Sequence, residues 1–202
     1  PLWELQSPKS RYQMSDRVSI ITKPIATTYK DGRPTFRIFS PKAHILSDGD
    51  LIELLDGVTM RALDDSGQVI RAEKATWKPQ LEMLFLNGNP VANNHTQQIS
   101  SDSATYSAKS NELKLNNNVV LRSWDQKIDI SKKPSLTVYS QNAFWNTNSG
   151  EFTATGPISG YQRNNDDPRK VRLLSASSLR GNSKAQWIDF LAPVTVKEPI
   201  DN

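Results

Sequence analysis

Apolar residues fall at every second position in short runs along almost the whole chain, as in Leu113-x-Leu115 and Val119-x-Leu121. Asn, Gly or Pro closes most runs. A period of two marks a half-buried strand, whereas a helix needs an apolar residue every three to four positions. Asn116, Asn117 and Asn118, like Asn87, Gly88 and Asn89, interrupt the alternation as a bulge or kink does. The polar segments Ser107–Glu112 and Asn146–Glu151 supply hairpin turns. The best helical competitor, Leu51–Trp77, is broken by Gly57 and Gly67 and split by the turn at Asp64–Gly67. Twelve prolines limit long helices elsewhere. The pattern predicts an all-β chain of ten or more strands.

The pattern also repeats. Three segments align without a gap on Ala75, Ala104 and Ala143. Two residues on come Trp77, Tyr106 and Trp145; nine on, Leu84, Leu113 and Phe152; eleven on, Leu86, Leu115 and Ala154. Gly88, Asn117 and Gly156 stand at thirteen, and Pro90, Val119 and Ile158 at fifteen. Five residues before each alanine is Ile70, Ile99 or Val138. A further copy around Ala43 has Ile38 five before it, Ile52, Leu54 and Val58 at nine, eleven and fifteen, and its Gly57 one position late. A degenerate copy follows within Arg172–Val196. Spacings of 32, 29 and 39 residues place loops of different length between units. Each unit is a hairpin-like strand pair with one apolar face, too small to fold alone. Stacked units bury that face continuously.

The expected organisation is one elongated unit chain over 1–202, with repeats at about 1–35, 36–65, 66–95, 96–125, 136–162 and 170–197. A mean hydropathy of −0.58 and 36% hydrophobic residues suit a thin fold with much exposed surface. Net charge is +4, with an excess of one base before residue 100 and three after it, so neither half is strongly basic and no nucleic-acid partner is expected. Arg163, Arg169, Lys170 and Arg172, interrupted by Asp166 and Asp167, read as a solvated loop; attraction to an anionic surface or ligand is the alternative. Zero cysteines exclude a disulfide scaffold and thiol chemistry. The chain opens on Pro1 rather than Met, so an N-terminal signal or anchor segment is expected to have preceded it.

The order Ile-x-Ser-x-x-Ala-x-Tyr, a turn, then Leu-x-Leu-x-x-x-Val-Val (Ile99–Val120) resembles the OstA-like lipopolysaccharide-transport domain of the LptA/LptC family. The earlier part is similar to the LptC branch, running Pro1–Tyr12, Pro24, the Asp31-Gly32 turn, Phe36–Ile45 and Leu51–Met60. The match is good over 1–121 and looser over 136–195, and the chain carries more units than an LptC-sized module.

The resemblance implies a twisted β-jellyroll, open along one side, whose interior holds the acyl chains of lipopolysaccharide. It implies transport without chemistry, in the periplasm, with the expected N-terminal segment as a tether to the inner membrane. Partners under this reading are lipopolysaccharide, other OstA-like jellyrolls and the inner-membrane lipopolysaccharide exporter, joined by edge-strand pairing; a head-to-tail homo-oligomer is a further arrangement it allows. Groove-lining candidates are Ile38, Ile52, Leu54 and Val58, then Ile70, Trp77, Leu84 and Leu86. In later units they are Ile99, Tyr106, Leu113, Leu115 and Val119, then Trp145 and Phe152. At any one position, such as Leu84 or Leu113, plain core is as good a reading as acyl contact, and Trp77, Tyr106 and Trp145 favour packing anchors. Trp3, Trp124 and Trp187 lie outside the register and receive no groove role. The N-terminal stretch Leu2–Ser7, with Leu2, Trp3 and Leu5 and only Glu4 charged, is the expected partner edge. Prolines and a lysine in Phe190–Pro199 blunt the other end.

Nothing reactive competes with this reading. His44 and His95 are far apart and lack ligand spacing, and the chain has no nucleophile elbow, P-loop or dinucleotide fingerprint. No enzyme, metal or cofactor is expected. The other reading is a structural or adhesive β-repeat protein that binds polysaccharide or protein. Such a protein should display aromatic platforms outside, where a lipid carrier should hide its aromatics inside.

Overall fold

The computed structural model describes residues 3–129, 131–163, 167 and 170–198. They form strands and two single 3-10 turns, Ser47–Gly49 and Pro79–Leu81, with no α-helix among them. The all-β expectation holds. Contacts group the chain into two compact units, one of residues 1–92 with 103–110, the other of 93–102 with 111–202.

The first unit contains β1 (Trp3–Gln6), β2 (Lys9–Gln13), β3 (Val18–Thr22), β4 (Ile25–Lys30), β5 (Arg33–Phe39) and β6 (Lys42–Leu46). It continues with β7 (Leu51–Leu55), β8 (Val58–Ala62), β9 (Val69–Ala72), β10 (Lys74–Lys78) and β11 (Met83–Asn87). The short β12 (Val91–Asn93) crosses the sequence boundary, β13 (Gln97–Ser100) belongs to the second unit, and β14 (Ser103–Ser107) returns to the first. Antiparallel pairing gives two sheets. One runs β1-β4-β5-β8-β9; the other runs β2-β3-β6-β7-β10-β11-β14. The chain changes sheet at Ser7-Pro8, Lys23-Pro24, Ser40-Pro41, Asp56-Gly57 and Glu73.

Those corners are built from residues that suit them. Proline has no N–H to offer a ladder, and Gly57 takes φ +100°, where a side chain is strained. The corners satisfy one another: the Lys23 amide donates to the Pro41 carbonyl at 2.8 Å, Gly57 to Glu73 at 2.8 Å, and Glu73 to Gly88 at 3.2 Å. Ser40 Oγ adds bonds to the Lys42 and Leu55 carbonyls at 2.8 and 2.7 Å and accepts from the Leu55 amide at 3.2 Å. A buried turn thereby leaves few backbone groups unpaired.

The second unit uses longer strands: β15 (Glu112–Ser123), β16 (Leu136–Asn146), β17 (Glu151–Arg163) and β18 (Val171–Asn182), followed by β19 (Trp187–Leu191) and β20 (Thr195–Lys197). Here β15 to β18 pair in order, and each ladder slips at one place: Asn116/Val119, Tyr139/Asn142 and Thr155/Ile158. The slips are bulges at which the strands turn from one face to the other. β19 pairs with the second half of β18 and β20 with its first half. β13 pairs with the second half of β15.

The register explains the sequence repeat. Ala75 lies opposite Leu86 and Trp77 opposite Leu84. Ala43 lies opposite Leu54, Ala143 opposite Ala154, and Trp145 opposite Phe152. Offsets zero and eleven, like two and nine, are therefore cross-strand partners of one hairpin. In the first unit a small residue faces a large one and Trp77 an aliphatic one, whereas in the second two alanines face each other and Trp145 faces Phe152.

Candidate functional site

All fifteen groove candidates are buried. In the first unit, Ile38, Val58 and Ile70 come from one sheet, and Ile52, Leu54, Trp77, Leu84, Leu86 and Tyr106 from the other. The two sets meet between the sheets: the Phe36 ring of β5 stands edge-on to Tyr106 of β14 at 5.4 Å between centroids. In the second unit, Leu113, Leu115, Trp145 and Phe152 lie before or after the bulges on one face, and Ile99 and Val119 on the other. The Trp145 indole N–H reaches Ser183 Oγ at 3.3 Å, which in turn donates to the Gly150 carbonyl at 3.1 Å. The amphipathic ring thus keeps its polar tip bonded inside an apolar face.

A small cavity lies between the first unit's sheets. Near the β1 end it is lined by Trp3, Leu5, Ile38, Ile52, Leu54 and Trp77, with Ala26 and Thr28, and its free volume of about 10 Å³ has room for one water at most. Trp3, which the repeat register leaves without a groove role, is half-buried here and closes this end together with Leu5. The signal for it was present in the strand alternation of Trp3-x-Leu5, but not in the repeat. Leu2 lies outside the described residues, as do Asp166 and Arg169 of the basic patch. Trp187 is 42% exposed on β19.

β1 and β2 are each paired on one side only among the described residues. They differ as edges. β2, Lys-Ser-Arg-Tyr-Gln, is exposed throughout and carries Lys9 and Arg11, which discourage a further strand. β1 bears the single charge of Glu4, which accepts from Gln6 Nε2 at 2.9 Å and from the Tyr29 hydroxyl at 3.1 Å. These two bonds, Gln6 first, hold the Glu4 carboxyl below the usual carboxylate range. In the second unit, β19, β20 and the segment between them leave Trp187, Leu191, Val194 and Val196 exposed.

His44 faces Glu53 across β6 and β7 at 3.8 Å in an ordinary cross-strand pair. Among the described residues, no three His, Asp or Glu side chains gather as a metal site, and no helix is long and apolar enough to cross a membrane. The arrangement offers apolar area and strand edges.

Comparison with known proteins gives one family. The model of the family described as "Lipopolysaccharide-assembly, LptC-related" matches residues 1–85 and 82–197. No curated protein matches the chain. Among solved structures, LptH of Pseudomonas aeruginosa, described as the LptA-homologous periplasmic component of the conserved lipopolysaccharide transport device, is similar over 52% of this chain and 75% of its own. Identity is 6% and the TM-score 0.41.

Proposed function

The chain belongs to the LptC-related lipopolysaccharide-assembly family, and from that premise we propose that it is a periplasmic component of the lipopolysaccharide transport bridge. It takes acyl chains between its sheets and passes them to the next protein. The observation that supports this reading most is the unbroken apolar register, from Ile38 to Phe152, on the buried side of every hairpin. An acyl chain needs area rather than directed bonds. Ten methylenes contribute about 8 kcal/mol gross on leaving water, and association and ordering costs offset much of it. The remainder suits a carrier that must let go.

The cavity near β1, as packed, has no room for a chain, so loading there requires the two sheets to part. The end between β1 and β2 suits that movement, because no described ladder joins those two strands and Trp3 and Leu5 are only half-buried. Photo-crosslinking residues at Leu84 and Leu113, together with lipid extraction of the purified protein, test the groove. Crosslinks to lipopolysaccharide are expected at both, and Leu115→Asp, on the same strand, should weaken the one at position 113. Folded charged variants that crosslink as well as the parent would place the lipid elsewhere.

The partner reading rests on β1. Its free side offers unpaired N–H and C=O groups, a template for a strand from another OstA-like jellyroll, from the inner-membrane exporter or from a second copy. Proline at Glu4 or Gln6 should reduce complex formation with such partners while leaving the distant strands intact. Unchanged assembly by folded variants would move the interface to another edge.

A further inference from the structure

The sheet β1-β4-β5-β8-β9 buries Ile38, Met60 and Ile70 on one side, so their neighbours along each strand face outward. On that outer side Arg37 of β5 lies directly opposite Arg61 of β8. Arg71 of β9 lies opposite Thr59, two residues from Arg61 and on the same face. All three arginines are exposed. Around them Ile25 lies opposite Phe39, and Val69 opposite Arg61, each half-buried.

Like charges directly opposite one another destabilise a sheet. A neighbouring carboxylate could offset that, and here none does. Among the described residues, ion pairs form at His44, Lys132, Arg172 and Arg180, and at none of these three arginines. Glu4 is the acid of this face, separated from Arg37 by Thr27 of β4, and its carboxylate is taken by Gln6 and the Tyr29 hydroxyl. Charge is segregated in the same way across the first unit. Glu4 and Glu53 are the acids of its strands, whereas Asp16, Asp31, Asp48, Asp50, Asp64 and Glu82, among others, stand in its turns. A chain of nearly balanced charge thereby presents a basic sheet face, with the arginines brought together from three strands.

We propose that this face rests on the surface of an anionic phospholipid bilayer, with Arg37, Arg61 and Arg71 on headgroup phosphates and Ile25, Phe39 and Val69 toward the glycerol level. Charge complementarity selects the partner, because three cations without a counter-charge share a face with one engaged carboxylate. A guanidinium offers a phosphate two parallel N–H bonds and is more weakly hydrated than an ammonium. A bilayer also presents many phosphates in one plane, so each of the mutually repelling arginines meets a lipid of its own. This contact lies outside the sheets and is independent of acyl carriage between them.

The test is cosedimentation of the whole chain with vesicles of equal parts phosphatidylglycerol and phosphatidylcholine, compared with phosphatidylcholine alone. The chain should bind the anionic vesicles and not the neutral ones. Each basic residue at an anionic surface contributes about fivefold in partitioning, so R37Q/R61Q/R71Q should bind about a hundredfold more weakly. Salt at about 1 M should abolish the binding. K109Q/K114Q/K127Q removes as much charge from other exposed positions and should bind as the parent does. Equal loss in the two triple variants, or no preference for the anionic vesicles, would overturn the proposal. Because the opposed pair repels, R61Q should melt no lower than the parent; a lower melting temperature would show the pair to be structural and remove the premise. Vesicles left unbound, with polyglutamate bound through the arginines, would give the face to an acidic protein instead of a bilayer. The Leu84 and Leu113 crosslinks judge the acyl groove separately. Their absence from a chain that still binds anionic vesicles would sink the groove alone.

Discussion

The two units solve one problem differently. Both must turn strands from one face to another while burying a continuous apolar side. The first unit does so by breaking the strand: β3 to β10 are four to seven residues long and stop at Pro24, Pro41, Gly57 and Glu73. The second keeps strands of eleven to thirteen residues and bends them at bulges. Its corner residues keep their side chains in the ladder. The Asn117 amide reaches Asn142 Oδ1 at 3.5 Å, Gln141 Nε2 donates to Asn117 Oδ1 at 2.7 Å, and Ser140 Oγ donates to the Asn142 carbonyl at 3.2 Å. Asn117 and Asn118 tolerate the positive φ of 61° and 51° that the bulge needs. Pro157, in the middle of β17, sits at a register slip where no ladder bond is lost. The broken corner gives two ladders with no strand in common; the bulged corner gives two faces that share β15 to β18.

The largest effect should come from the shared feature. Leu86→Ala in the first unit and Leu115→Ala in the second both empty a site that is 1% exposed. Each should cost about 2–5 kcal/mol in urea unfolding. If the units unfold separately, each variant will shift only its own transition; one transition moved by both would show that they unfold together.

Glycine corners should separate next. Gly156→Ala meets both a φ of +93° and the Gln141 Cβ at 3.1 Å, whereas Gly57→Ala meets a φ of +100° and open space. Backbone strain alone costs about 1–3 kcal/mol, so Gly57→Ala should lie in that range and Gly156→Ala above it. Thermal melts showing the reverse order would mean that the bulged corner yields more readily than the broken one.

Ser40→Ala tests how the broken corner is held. It removes the hydroxyl that accepts from the Leu55 amide and reaches two carbonyls, and should cost about 1–3 kcal/mol. Ser140→Ala, at an exposed bulge with a single bond, should cost less.

The smallest effect belongs to β1. The Glu4 pKa is lowered on folding, so its contribution is present above the ordinary carboxylate pKa and disappears as pH falls through the lowered value. Stability should therefore drop slightly more between pH 5 and about pH 3 in the parent than in Glu4→Gln. Equal drops would show that the Tyr29 and Gln6 bonds do not steady the edge strand.

Much of this was legible in the residues. The offsets of two and nine, zero and eleven, are read from the chain and turn out to be hairpin partners, because antiparallel register is fixed once the turn and the buried face are fixed. The interruption at Asn116, Asn117 and Asn118 was legible as a bulge for the same reason, while that at Asn87, Gly88 and Asn89 is a kink that separates β11 from β12. Trp3 was missed as a lining residue because it belongs to no repeat; its place depends on pairing β1 with β4, more than twenty residues away. The arginine face was missed for a similar cause. Arg37, Arg61 and Arg71 are scattered in sequence and meet only because β8 pairs with both β5 and β9.

The sequence by itself therefore determined the all-β class, the repeating hairpin, the buried face and the family. The first three rest on local alternation and turn chemistry, which act over ten or twenty residues, and the family rests on a resemblance in the order of motifs along the chain. Tertiary structure decided which corners break and which bend, how little room is left beside Trp3 and Leu5, and which distant side chains meet. Those depend on pairing between strands far apart in the chain and on the volume left when side chains from two faces meet, and neither quantity is written in any single stretch.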